Sequence, residues 1–159
     1  MARRKPATTH GVAVVDKPPG VTSHDVVGML RRRFGELQVG HAGTLDPDAT
    51  GVLVVAVGKA TRLLRFVEKT RKGYTGEIVL GASTSTLDDS GDVLATFDMS
   101  AVTLDDARTA VAEHLVGDIE QIPPMVSAIR VEGKRLHELA REGIEVKRTP
   151  RPVTIHRFD

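Results

Sequence analysis

The sequence has no cysteine and no tryptophan, and its aromatics amount to four phenylalanines and one tyrosine. Without cysteine there are no disulfides, no thiolate metal ligands and no cysteine nucleophile, and the chain fits a reducing, cytoplasmic setting. A core this poor in aromatics must be built from Val, Leu, Ile and Ala, which makes the single Tyr74 conspicuous. No run of about eighteen apolar residues occurs, and the basic N-terminus MARRKPATTHG is followed by no apolar stretch, so membrane spanning and secretion are not expected.

An excess of one charge is missing too. The formal net charge is +1, but the charges are sorted along the chain. Residues 74 to 120 carry ten acids against one base, whereas residues 1 to 35 carry seven bases against two acids and residues 59 to 73 six against one. Residues 130 to 151 carry seven against four. Such patches suit a polyanion gripped through its phosphates, and they equally suit basic solvated helix faces. At 159 residues the chain is one domain's worth, long enough to bury roughly two thirds of the surface exposed by its unfolded form. Residues 1–10 read as a tail and residues 11–159 as the folded part.

Gly11 to Asp16 (GVAVVD) is a short β-branched run ended by Lys17-Pro18-Pro19-Gly20, a strand entering a tight turn. A helix follows: Thr22 or Ser23 can cap it, Asp25 suits its first turn, and Val26, Val27, Leu30 and Phe34 share a face. Arg31, Arg32 and Arg33 crowd its last turn, where the helix dipole favours cations and where phosphates are also within reach. Gly51 to Val57 (GVLVVAV) is apolar without alternation, the mark of a central strand buried on both faces. Residues 58 to 69 read as a helix with Lys59, Arg62, Arg65 and Lys69 outward, and Tyr74 to Leu80 alternates as a strand does. Residues 82 to 92 form a polar loop with a strand candidate at Val93 to Phe97, and Thr103 with Asp106 opens a helix ended by Gly117. Gln121 to Val131 passes two prolines into a short strand, Gly133 to Gly143 is a short helix, and Val153 to Phe158 is a last strand.

Between the first helix and the central strand lies GHAGTLDPDATGVL, Gly40 to Leu53. Its glycines permit unusual backbone angles and close approach of a ligand, while Pro47 fixes its own φ and keeps Asp46 out of the helical region. The stretch reads as a stiff loop presenting the Asp46 carboxylate. The same pattern fits a turn in which Asp46 and Thr44 merely satisfy backbone donors.

Five segments in register, KPPGVTSHDVV (17–27), GHAGTLDPDATGVL (40–53), ATRLL (60–64), KGYTGEIVLG (72–81) and QIPPMVSAIRVEGKRLHELAREG (121–143), resemble the bacterial TruB family of tRNA pseudouridine synthases. The resemblance implies an α+β fold with a mixed, largely antiparallel sheet flanked by helices and an active cleft across the sheet face, against a doubly wound parallel sheet as the competitor. It implies isomerisation of uridine 55 in the tRNA T loop by glycosidic cleavage, base rotation and rejoining through C5. No cofactor, metal, membrane or obligate protein partner is implied, the partner being the tRNA T arm. The family aspartate falls on Asp46, and the tyrosine that stacks uracil falls on Tyr74, for which a core tyrosine is the plain reading. His41 matches a position that holds the flipped-out state; a loop histidine bonded to backbone is its plain reading. Lys17, Ser127 and Ala128 match pocket-lining segments, and Asp88 matches an RNA contact. The stretch from Lys134 through Arg135 to Arg141 matches a mobile helical thumb, and RNA contacts are expected from Arg31, Arg32, Arg33, Lys59 and Arg62. Ser85 stands where many members have aspartate. The family continues past the position of Asp159 with an arginine segment and a C-terminal RNA-binding domain, so residues 11–159 read as a shortened catalytic domain. Two rivals remain at this level: a non-catalytic RNA-binding or RNA-folding module, and a glycosidase using Asp46 with Asp48.

Overall fold

The computed structural model describes residues 7–127, 129–131 and 133–159. They gather into two compact units, one ending at Thr75 and the other beginning at Gly76.

In the first unit, β1 (Gly11–Lys17) and β2 (Val39–Ala42) flank β3 (Gly51–Val57), both antiparallel to it. Gly51–Val57 is thus the central strand its composition suggested. Burial on both faces holds only toward its end: Leu53, Val55 and Val57 pack inward and Ala56 on the opposite face is also buried, whereas Val52 on that face is 70% exposed. Helix α1 (Ser23–Phe34) covers the inner face, with Val26 and Val27 packed among Val39, Leu53, Val55 and Val57. Thr22 caps α1 in a reciprocal box with Asp25, and Gly35, at φ +63, closes its end. Phe34, expected on the buried face, is 41% exposed, because the apolar contacts of α1 with the core end at Leu30.

The helix expected over residues 58 to 69 divides into a 3-10 turn, Gly58–Leu63, and a single α turn, α2 (Leu64–Val67). Thr61 Oγ1 donates to the Gly58 carbonyl at 2.8 Å, a three-residue closure that suits the tighter winding. The strand expected from Tyr74 to Leu80 does not form; residues 71–80 are irregular and exposed. Alternation specifies faces, but a strand also needs a neighbour for its peptide groups, and among the described residues none pairs with this segment.

The second unit opens with a hairpin of β4 (Ala82–Thr84) and β5 (Val93–Thr96) around the polar loop. Helix α3 (Leu104–His114) begins with the Thr103–Asp106 capping box. Strand β6 (Gly117–Gln121), which local pattern did not indicate, pairs with β9 (Arg151–Ile155). The helix expected from residue 133 starts later: Lys134–Arg135 (β8) folds back on Arg130–Val131 (β7), with Gly133 turning at φ +88, and α4 spans Leu136–Arg141. Leu136 and Leu139 of α4 are buried.

The class is α+β as expected. Every strand pairing among the described residues is antiparallel, in four small sheets rather than one mixed sheet, which excludes the doubly wound parallel arrangement there. No helix among the described residues is long and apolar enough to cross a membrane.

Candidate active site

Strand register brings two sequence-distant turns to one end of the first sheet. Lys17, the last residue of β1, pairs with Gly51, the first of β3, so the Lys17-Pro18-Pro19-Gly20 turn lies beside the 43–50 loop joining β2 to β3. The contact is made through main-chain atoms of the loop. Lys17 is fully buried, and its Nζ donates to the carbonyls of Val21 at 2.7 Å, Pro47 at 2.8 Å and Pro18 at 3.1 Å. The Gly20 amide also donates to the Pro47 carbonyl, at 2.9 Å. Ser23 Oγ accepts from the Leu45 amide at 3.0 Å and donates to its carbonyl at 3.1 Å. Within the loop, the Ala49 amide donates to the Asp46 carbonyl at 3.2 Å.

These bonds hold Leu45, Asp46 and Pro47 by their backbones. The exposed Asp46 carboxylate has no hydrogen-bond or ion-pair partner among the described residues, so it is not spent on the turn's own donors. It lines an open cavity of about 820 Å³ with Thr44, Thr70, Arg71, Lys72 and Tyr74, to which residues 51–54 of β3 also contribute. Tyr74 is 76% exposed, which removes the core-tyrosine reading. Asp48, although two residues from Asp46, does not line the cavity, and the two-carboxylate arrangement is not formed there.

Several expected site residues sit elsewhere. Lys17 does not line the cavity; its ammonium is used on the three carbonyls behind the loop. His41 lies on β2 opposite buried Val55, outside the lining, and its Nδ1 donates to the Gly43 carbonyl. Arg31 turns inward, Nη2 donating to the Val39 carbonyl at 3.1 Å, while Arg32, Arg33, Lys59 and Arg62 are exposed.

In the second unit Asp88 accepts from Ser90 Oγ at 2.6 Å, the Ser90 amide at 3.0 Å and Thr86 Oγ1 at 2.5 Å. The Ser90 hydroxyl first, then Thr86, holds its carboxyl below the ordinary range. Ser85 Oγ accepts from the Asp92 amide at 3.2 Å and so closes the same loop. Lys134 pairs with Glu142 at 3.1 Å, and the half-buried Ser127 follows a turn in which its amide donates to Met125. Ala128 and the side chains of Arg135 and Arg141 lie outside the described residues. Among those described, no three acidic or histidine side chains gather as a metal site.

The role of one participant and the place of another are not legible from local sequence. Ser23 reads from the sequence only as a candidate helix cap; with Thr22 taking that place, its hydroxyl is left for Leu45. Lys72 belongs to the basic run of residues 59 to 73 that suits phosphates, and its proximity to Gly43 adds that it enters the cavity.

A family model described as TruB family pseudouridylate synthase (N terminal domain) matches residues 31–159. The tRNA pseudouridine synthase B of Arthrobacter sp. (strain FB24) is 55% identical over 149 residues, covering 94% of this chain and 48% of the relative. That of Symbiobacterium thermophilum is 52% identical over 148 residues, covering 93% and 49%. The chain therefore spans about half the length of the curated relatives it matches. Among solved structures, a Cbf5-Nop10-Gar1 complex has a TM-score of 0.49 and 33% identity, over 76% of this chain and 31% of that one.

Proposed function

Since the chain belongs to the TruB family of pseudouridylate synthases, we propose that it isomerises uridine to pseudouridine in tRNA, at position 55 of the T loop, with Asp46 as the central catalytic carboxylate. The observation that carries this reading is the Asp46 carboxylate itself: unpartnered among the described residues, held by backbone bonds from behind, and facing the same cavity as Tyr74.

The reaction needs stabilisation of an electron-poor C1′, retention of the detached uracil, and removal of the C5 proton. A uridine inside a folded loop must first leave its stack. Tyr74 offers an aromatic face for the extruded base and a phenol at its edge. Asp46 supplies negative charge beside the sugar, and loop stiffness supplies the alignment that such chemistry rewards. His41 and Lys17 serve by fixing the loop, through the carbonyls of Gly43 and Pro47. Arg32, Arg33, Lys59 and Arg62 on the first unit, and Lys134, Arg135 and Arg141 on the second, bind RNA phosphates, with Asp88, Ser127 and Ala128 as further contacts in the second unit.

The test is single-turnover release of label from C5 of uridine in a T-arm stem–loop. Asp46→Asn is expected to bind this RNA as the unmutated chain does and to form no pseudouridine; a normal rate in that variant sinks the assignment. A second reading, RNA binding without turnover, is favoured by the lack of a cationic partner for Asp46 among the described residues. It wins if the unmutated chain binds the stem–loop tightly and isomerises nothing.

A further inference from the structure

Two cations of the cavity, Arg71 and Lys72, have no task in the chemistry of Asp46 and Tyr74. Lys72 lines the space with Asp46, Arg71 and Tyr74, and its Nζ stands 3.3 Å from the point where a Cβ on Gly43 would be. Gly43 sits at φ +83, so this position presents bare backbone and leaves the ammonium its room. No carboxylate among the described residues lies within ion-pair distance of Lys72, Asp46 included, and its three donors take no protein acceptor there. An exposed ammonium without a protein acceptor among those residues, beside the Arg71 guanidinium in the same lining, is complementary to an anion.

A uridine within RNA divides into just these parts: an uncharged base, a ribose, and the phosphodiesters on either side. With base and ribose at Tyr74 and Asp46, the anionic part needs a cation on the same wall. Lys72 and Tyr74 are two residues apart, so their backbones are separated by at most about 7 Å. Resting on the pseudouridine reading, we infer that Lys72 binds a phosphodiester flanking the target uridine itself. It thereby selects the nucleotide admitted to the cavity by the position of its backbone rather than by its base. Lys72 is a binding residue in this assignment and forms no bond in the reaction.

The experiment compares the unmutated chain with Lys72→Gln, Lys72→Arg and Lys69→Gln, the last an exposed control outside the cavity lining. Binding is measured across salt concentrations with three T-arm stem–loops: an ordinary one, and two carrying a neutral methylphosphonate on the 5′ or the 3′ side of the target uridine. On ordinary RNA, Lys72→Gln is expected to lower the magnitude of the log–log salt slope by about one, with Lys72→Arg keeping it. On one methylphosphonate RNA, Lys72→Gln and the unmutated chain should bind alike, whereas Lys69→Gln should treat all three RNAs equally. An unchanged slope in Lys72→Gln, or an equal loss on all three RNAs, overturns the assignment while leaving the pseudouridine reading intact. Failure of every protein to bind any of the RNAs overturns both.

Discussion

Lys17 Nζ donates to the carbonyl oxygen of Pro47 at 2.8 Å, joining two turns thirty residues apart immediately behind Asp46. The same ammonium donates to Pro18 and Val21, so a charge that is costly to bury is used on three carbonyls, of which Pro47 alone also accepts from the Gly20 amide. Removing it should loosen the loop that carries Asp46. Lys17→Met is expected to cost about 2 to 4 kcal/mol, read as a lowered thermal midpoint. Affinity for T-arm RNA, measured well below that midpoint, should change little. A variant as stable as the unmutated chain would show that the ammonium is not an anchor.

The three arginines closing α1 should separate experimentally. Arg31 spends its guanidinium on the Val39 carbonyl, so Arg31→Gln should lower stability by about 1 kcal/mol and leave the salt dependence of RNA binding unaltered. Arg32→Gln and Arg33→Gln, at exposed positions, should each reduce the magnitude of that dependence by about one without moving the melting temperature. The reverse pattern would remove the end of α1 from the RNA-binding face.

Leu53 is 1% exposed at the centre of the small core between α1 and the sheet. Leu53→Ala should cost about 2 to 5 kcal/mol in denaturant unfolding, since the lost contacts and the residual cavity both count. Val52→Ala, at an exposed position on the opposite face of the same strand, should cost far less. Equal costs would mean that this face is covered in solution.

Glu36 makes the chain sensitive to acid. Its Oε1 accepts from the Thr8 amide at 2.6 Å, the Thr9 amide at 2.7 Å and Thr8 Oγ1 at 2.9 Å, and the Thr9 and Thr8 amides hold its carboxyl below the ordinary value of 4.5. A carboxyl with a lowered folded-state value binds its proton more weakly folded than unfolded. Its stabilisation is therefore complete above the ordinary value and is lost as pH falls through the lowered one. Asp25 and Asp106, lowered mainly by the Thr22 and Thr103 hydroxyls, titrate in the same direction. Thermal midpoints should stay level from pH 7 to about 5 and fall below about 4. Glu36→Gln should lower the neutral-pH midpoint and make the acid fall shallower; an unchanged acid profile would remove Glu36 from the effect.

Much of the local structure was legible in the sequence because its causes are local. Thr22 with Asp25 and Thr103 with Asp106 start helices by satisfying amides three residues away, and β-branched runs mark β1 and β3. Strands β2 and β6 were not legible. VGHA and GDIEQ carry little strand pattern, and each exists because a partner elsewhere in the chain, β3 or β9, supplies its hydrogen bonds. Tyr74 to Leu80 is the converse, a good alternating pattern that no described strand completes.

The sequence by itself determined that Asp46 would stand in a stiff loop. Pro47 fixes its own φ and restricts Asp46 before it, while the glycines accept the angles a tight turn needs. Tertiary structure alone decided that its carboxylate would be free. That freedom depends on Ser23 and Lys17 taking the backbone of Leu45 and Pro47 from 22 and 30 residues away. Such partners are set by strand register and helix packing, which no residue's immediate neighbours encode.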